Sequence, residues 1–396
     1  MISKIKSIDL KILFASCILF STIIFIIINC IFKGSILTVT DYHDHYIHYY
    51  GMINKNNFLS GGLIFPPFAE MLYNLWSMSD QTLTDIPNIT GEFPTTNSQY
   101  LYHIVATTFF LLYFICITYI FKKDPTVKKD FLALNIVLSF PLIEALRVGN
   151  SVLPTCLFIL IGLILYYNDD KNLKFLSLVF FALASALKYY PAIYGIILLK
   201  NKDYKNSIKL ILLGILFFIL PLFYYDGFAT IPKIISSLKG FNGGLWAIGN
   251  IYYIAIVLIK SILKIDITHN VTALNLIRFF LILIGFIGVL IAQKRWKLLF
   301  YIGFLCNVCC INAWGYNTIY YLPAIIYFLF DENETIGNLI SQKKICKIIY
   351  SLIFILFLMN YTNAALHRSP IYFMVFIVLF EDIFTKFPLY KIKKMC

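Results

Sequence analysis

Charge is what this sequence has least of. Only 13% of its 396 residues are Asp, Glu, Lys or Arg, while 60% are hydrophobic; water-soluble domains carry about twice that charge. A soluble globule is therefore excluded, and the chain reads as a polytopic membrane protein. Acidic residues are the scarcer sign, 20 against 33 Lys and Arg. In a soluble chain such a surplus would suggest a nucleic-acid partner. Here the basic residues stand in short clusters between apolar runs, the pattern of cytoplasmic loops under the positive-inside bias.

Other patterns are missing too. The nine cysteines form no disulfide framework: Cys17, Cys116 and Cys156 sit in apolar stretches as small hydrophobes. Cys306, Cys309 and Cys310 have no His or acidic neighbour within their span, which argues against a metal site. No small-residue cleavage site follows the first apolar run, although Lys4, Lys6 and Lys11 precede it. It reads as an uncleaved first helix with a cytoplasmic N-terminus. There is no repeat of fixed period and no separate soluble domain.

What is present is a succession of apolar segments, at 11–32, 101–121, 130–146, 151–167, 173–187, 189–200, 207–225, 273–292, 297–312, 316–330, 346–362 and 370–386, predicting an all-α bundle of about twelve spans. With the N-terminus inside, the clusters around Lys122 and Lys129, Lys171 and Lys174, Lys200 to Lys209, Lys294 to Lys297, Lys343 to Lys347 and Lys391 to Lys394 all fall inside. This requires that 250–263 lie along the outer surface as an interfacial helix; its polar flanks and Lys260 suit that place. The reading is one multi-pass domain over 1–396, in the plasma membrane with both termini cytoplasmic, and two large outer segments, 33–100 and 226–272. The triplets starting at Asn88 and Asn360 match glycosylation sequons and read as chance.

The first outer segment opens with Thr40-Asp41-Tyr42-His43-Asp44-His45-Tyr46-Ile47-His48, which gathers two acids and three of the six histidines beside the membrane. If helical, it would place Asp41, Asp44, His45 and His48 on one face. A carboxylate there can serve as a general base. Two plainer readings stand beside it: a metal held by Asp41, His45 and His48, and a polar structural loop.

Cations mark the breaks between later runs. Arg147, in Leu146-Arg147-Val148-Gly149-Asn150, carries a guanidinium shaped to grip phosphate. Lys188, in Leu187-Lys188-Tyr189-Tyr190-Pro191, lies on the side the positive-inside rule disfavours, on a turn forced by Pro191. His367 and Arg368 precede the last run. Each basic residue could also be a snorkelling interfacial side chain. Phe65-Pro66-Pro67-Phe68, with Glu70 following, reads as a structural stiffener of the first outer segment.

Together, Asp41-Tyr42, Phe65-Pro66-Pro67, Arg147-Val148-Gly149-Asn150 and Lys188-Tyr189-Tyr190-Pro191 resemble the GT-C glycosyltransferases of family 87, the DUF2029 group. The resemblance spans about 30–210, and Phe241 to Trp246 is similar to a loop of that family. Asn150 stands where Gln is usual, and Asp44 competes with Asp41 for the place of the acid. The resemblance implies a GT-C-like bundle with short outer-face helices and an envelope-glycan enzyme. It would move a hexose, of mannose type, from a polyprenyl-phosphate donor to a lipid or glycan acceptor with inversion. Asp41 or Asp44 would be the base; Arg147, Lys188 and Arg368 would hold the donor phosphate; His45, Asn150, Tyr189, Tyr190, Trp246 and His367 would contact substrate. No cofactor is expected, and a divalent metal is the less favoured variant. The rival functions are an O-antigen or capsule polymerase, which would need more outer cations, and a lipid-linked glycan flippase. Transport is disfavoured because the mid-span regions are nearly free of charge, Glu144 and Arg278 lying near span ends.

Overall fold

A computed structural model of the chain describes residues 9–33, 65–77, 96–122, 129–240, 251–265, 270–309, 315–332, 344–360 and 364–386. Most of these residues are helical, with no β-strand element among them. The α-helices are α1 (Leu10–Lys33), α2 (Pro67–Ser77), α3 (Thr96–Ile120), α4 (Lys129–Val137), α5 (Phe140–Val148), α6 (Val152–Tyr166), α7 (Lys171–Leu187) and α8 (Ile196–Lys200). They continue with α9 (Tyr204–Ile219), α10 (Thr230–Gly240), α11 (Ile251–Leu263), α12 (Val271–Ile291), α13 (Arg295–Cys309), α14 (Leu322–Asp331), α15 (Ile345–Leu358) and α16 (Ala364–Lys386).

Each predicted apolar segment coincides with a helix or a helix joined to a 3-10 turn. Among the described residues three stretches are long and apolar enough to cross a membrane: Leu10–Ile28, Tyr204–Tyr224 and Thr272–Ile291, with α4 and α5 a fourth if that broken pair counts as one. Several of the others are broken by proline. A proline offers no N–H to the carbonyl four residues back and clashes with it. Pro141 thus ends α4 at Val137, and Pro191 ends α7 at Leu187; Pro221 and Pro323 open the 3-10 turn after α9 and the first turn of α14.

The chain folds as two compact units, one made of Met1–Phe32, Ile117–Pro141 and Gly243–Cys396, the other of Lys33–Cys116 and Leu142–Asn242. In the first unit α13 is the centre, buried from Trp296 through Val308. It can be short because protein, not lipid, surrounds it. Gly288 lies against the Tyr301 ring and Gly285 against Leu305, so closely that any side chain at either glycine would overlap its neighbour. The break after α4 leaves the Leu138 carbonyl without a helical donor, and Asn360 Nδ2 supplies one at 2.9 Å while also donating to Thr22 Oγ1 at 2.8 Å. That amide is buried and committed, which excludes a glycan on Asn360 in this fold.

The basic clusters of this unit meet at one end. Lys297 Nζ donates to Asp382 at 2.6 Å and Glu381 at 2.8 Å, and Tyr301 and Tyr350 donate to the same two carboxylates. Lys294 and Lys347 both pair with Glu332, and Arg295 pairs with Asp331. Arg295 also lies over the Phe330 ring, Phe330 touches Phe121 edge-on, and Lys11 lies over Phe121. The start of α1, the end of α3 and the start of α13 therefore share an end. In the twelve-span reading of the sequence a full crossing by α11 would reverse that parity. With 13 residues α11 reaches about 20 Å at about 1.5 Å per residue, short of a hydrocarbon core of about 30 Å.

In the second unit α6 and α7 form an antiparallel hairpin in which Gly162 admits the Phe181 ring; a Cβ there would stand 2.8 Å from it. Asp170 caps α7 by accepting from Asn172 N–H. Against this hairpin pack α9 and the short α2. The Phe68 ring meets Phe217 edge-on, and Met71 packs on the core of Leu222, Tyr225 and Ile234.

Candidate active site

The site builds up from two proline-directed breaks in the second unit. At the first, Pro66 and Pro67 start α2 and contribute no N–H groups of their own. The N–H of Phe65, just before them, is instead accepted by the side chain of Glu70 at 3.3 Å. At the second, Pro191 stops α7, so Lys188 adopts an extended backbone (φ −148°, ψ 139°) before the chain enters the 3-10 turn Tyr190–Gly195. The two breaks meet at Phe65. Lys188 Nζ lies 3.7 Å from the centre of the Phe65 ring, and the Tyr189 hydroxyl donates to the Phe65 carbonyl at 3.3 Å.

Burial decides the electrostatics here. Lys188 is 7% exposed and Glu70 fully buried. Burial pushes the Glu70 carboxyl up to about 8, against the opposing pull of the Phe65 N–H and the Lys188 charge. At neutral pH Glu70 is therefore mostly protonated. An aromatic face attracts an ammonium without cancelling it. The second Glu70 oxygen has no hydrogen-bond partner among the described residues.

Beside this cluster lies a cavity of about 600 Å³, lined by Pro191, Ala192 and Ser185 next to the break and by Leu210, Gly214 and Phe218 of α9, among others. Its walls are almost wholly apolar.

The other predicted residues are placed as follows. Arg147, on the last turn of α5, pairs with Glu144 at 3.3 Å and keeps 41% of its side chain exposed. Gly149 then takes φ +72°, the left-handed conformation glycine permits at a helix end. Asn150 is buried and its Oδ1 accepts the Val152 N–H at 3.0 Å, so that oxygen starts α6. Tyr190 is half-buried on the 3-10 turn. His367 and Arg368 fall in the first turns of α16; their side chains lie outside the described residues, as do Asp41, Asp44, His45 and Trp246. The structure thus joins Lys188 and Tyr189 to two residues read as structural in sequence, Phe65 and Glu70. The signal for Glu70 was an acid in the first turn of a helix behind two prolines. The cavity left no local trace. In the first unit Arg278 donates to the Cys309 carbonyl at 3.0 Å, a cation at a helix C-terminus.

Comparison with known families adds one finding: residues 93–312 match the family model described as glycosyltransferase family 87. The match begins later and runs further than the 30–210 over which the sequence motifs resemble that family. It takes in Arg147, Asn150, Lys188, Tyr189, Tyr190 and Trp246, and leaves Asp41, Asp44, His45, Glu70, His367 and Arg368 outside. No curated protein and no solved structure matches the chain.

Proposed function

The chain belongs to glycosyltransferase family 87 and is a glycosyltransferase; on that premise we propose that it transfers a hexose, of mannose type, from a polyprenyl-phosphate donor to a lipid or glycan acceptor at the outer face of the plasma membrane. The observation that carries this is the buried Lys188 ammonium, held on the Phe65 ring beside a cavity whose apolar walls suit an isoprenoid chain. A nucleotide donor would need polar groups for a base and ribose, and the polar side chains in these walls are Ser185 and Ser207.

In the proposed reaction Asp41 takes the proton of an acceptor hydroxyl, and the resulting oxygen attacks the anomeric carbon. The bond from that carbon to the phosphate oxygen breaks, the sugar inverts, and the polyprenyl phosphate leaves with one more negative charge. Lys188 meets that growing charge in a poorly hydrated setting, where such contacts act most strongly. Arg147 and Arg368 are the further cations assigned to the phosphate; Asp44 is the alternative base. Tyr189, Tyr190 and Trp246 are assigned to the sugar, with His45, His367 and Asn150 as polar contacts. No metal step enters this scheme. The shared end of Lys11, Phe121 and Arg295 supports an arrangement in which α11 lies along the outer surface and both termini are cytoplasmic.

The test is incubation of the purified protein with a panel of radiolabelled polyprenyl-phosphate sugars and nucleotide sugars. Transfer from a polyprenyl-phosphate hexose is expected. Transfer from a nucleotide sugar alone would overturn the donor assignment.

A further inference from the structure

Arg278 is a permanent cation inside Thr272–Ile291, a segment long and apolar enough to cross a membrane. Charges at such depth are costly and are found paired. The antiparallel hairpin of α12 and α13 fixes its place. Gly288 meets Tyr301 and Gly285 meets Leu305; the same register carries Arg278 to Cys309, whose carbonyl accepts from Nη2 at 3.0 Å. That end of the hairpin lies away from Arg295 and Lys297, where Asp331, Glu332, Glu381 and Asp382 of this unit form their ion pairs. Among the described residues no acid pairs with Arg278. The Cys309 carbonyl occupies one of the five N–H donors a guanidinium carries, and the Nε–H is buried without a hydrogen-bond partner. The C-terminal carbonyls of a helix amount to about half a negative charge, so positive charge remains.

The surface of α12 leads to this cation. Thr272 and Asn275, spaced by one helical turn, are exposed between the helix start and Arg278, which is itself only partly buried. Phe279, Phe280 and Leu283 beside them are exposed as well. At about 1.5 Å per residue Arg278 lies about 10 Å along the helix. A free anion would have to leave water to arrive there, whereas a lipid phosphate arrives with its own apolar chains. We propose that Arg278 anchors a binding site for an acidic phospholipid. The lipid phosphate pairs with the guanidinium, whose planar fork suits phosphate oxygens. The polar headgroup meets Asn275 and Thr272, and an acyl chain runs along Phe279 and Leu283. This site stands apart from the assignment of the sugar donor and does not depend on it.

The experiment titrates the full-length protein in neutral-detergent micelles with phosphatidylglycerol, phosphatidylcholine, inorganic phosphate or polyprenyl phosphate. It follows the melting temperature, which rises with any ligand that binds the folded state. Phosphatidylglycerol should act on the wild type at concentrations about tenfold below those of phosphatidylcholine, whose own cation answers its phosphate. In Arg278→Gln, which keeps a donor for the Cys309 carbonyl, phosphatidylglycerol should bind about tenfold more weakly, the scale of losing one charge-assisted pair. Equal responses of variant and wild type would overturn the proposal. So would inorganic phosphate binding as tightly as phosphatidylglycerol, which would make the site one for a free anion, or polyprenyl phosphate binding more tightly, which would make it a substrate site. Should Arg278→Gln fail to fold, a photoreactive phosphatidylglycerol on the wild type decides the matter. Crosslinks are expected within 272–283; crosslinks confined to the basic segments at 294–297 and 343–347 would refute the site.

Discussion

The Lys188 ammonium sits 3.7 Å from the centre of the Phe65 ring, a contact between the break that ends α7 and the residue that leads into α2. It holds the ammonium in a buried setting, Lys188 being 7% exposed. Lys188→Met should therefore lower kcat/KM for the polyprenyl-phosphate donor by about 100-fold, the scale of losing one group that stabilises transition-state charge. The acceptor KM should move little. Equal effects on both substrates in steady-state kinetics would place Lys188 elsewhere in the mechanism.

Asp41 is assigned from sequence as the base. Asp41→Asn should reduce turnover by about 100-fold or more, the usual contribution of a general base, while donor binding and membrane insertion persist. Single-turnover transfer with preloaded donor is the direct measurement. Full activity in Asp41→Asn, together with its loss in Asp44→Asn, would move the role to Asp44.

The cavity makes a prediction about chain length. A Cβ on Gly214 would meet nothing within 4 Å, so Gly214→Leu can extend into the cavity without a clash at its root and should gain about 0.5–1 kcal/mol of helix propensity. The KM for a long-chain polyprenyl donor should rise about tenfold, the scale of losing about 1.4 kcal/mol of apolar contact. A short-chain analogue that does not reach the groove should be used as before. An equal loss for both would show that the isoprenoid chain does not lie there.

Glu70 also gives stability a pH dependence of definite sign. Its folded value of about 8 lies above the ordinary 4.5, so between the two the folded protein holds a proton that the unfolded chain has released. Stability from this group is thus fully present below pH 4.5 and declines by about 1.4 kcal/mol per pH unit through that window. Glu70→Gln lacks this decline. The difference in melting temperature between variant and wild type should shift in the variant's favour as pH rises toward 8, read by thermal unfolding in detergent. Parallel curves would show that the carboxyl is not buried as described.

Much of the helical layout was legible in the sequence because its causes are local. Apolar runs mark the helices, and Pro141 and Pro191 mark where they stop, since a missing N–H acts on the carbonyl four residues away. Lys188 was legible as a residue on a break for the same reason. Gly149 and Asn150 drew notice as part of a motif, and the fold gives them an additional local task, ending α5 and starting α6.

The sequence by itself determined that this chain belongs in a membrane, that it is built of broken helices, and which family its motifs point to. Those conclusions rest on composition and on neighbours a few residues apart. Only the tertiary structure decided that Phe65 and Glu70 join Lys188 and Tyr189, that an apolar cavity opens beside Pro191, and that Lys11 and Arg295 share an end of one unit. Contacts between distant parts of a chain leave no periodic mark in it. The state of a carboxyl such as Glu70 depends on how completely the fold removes it from water.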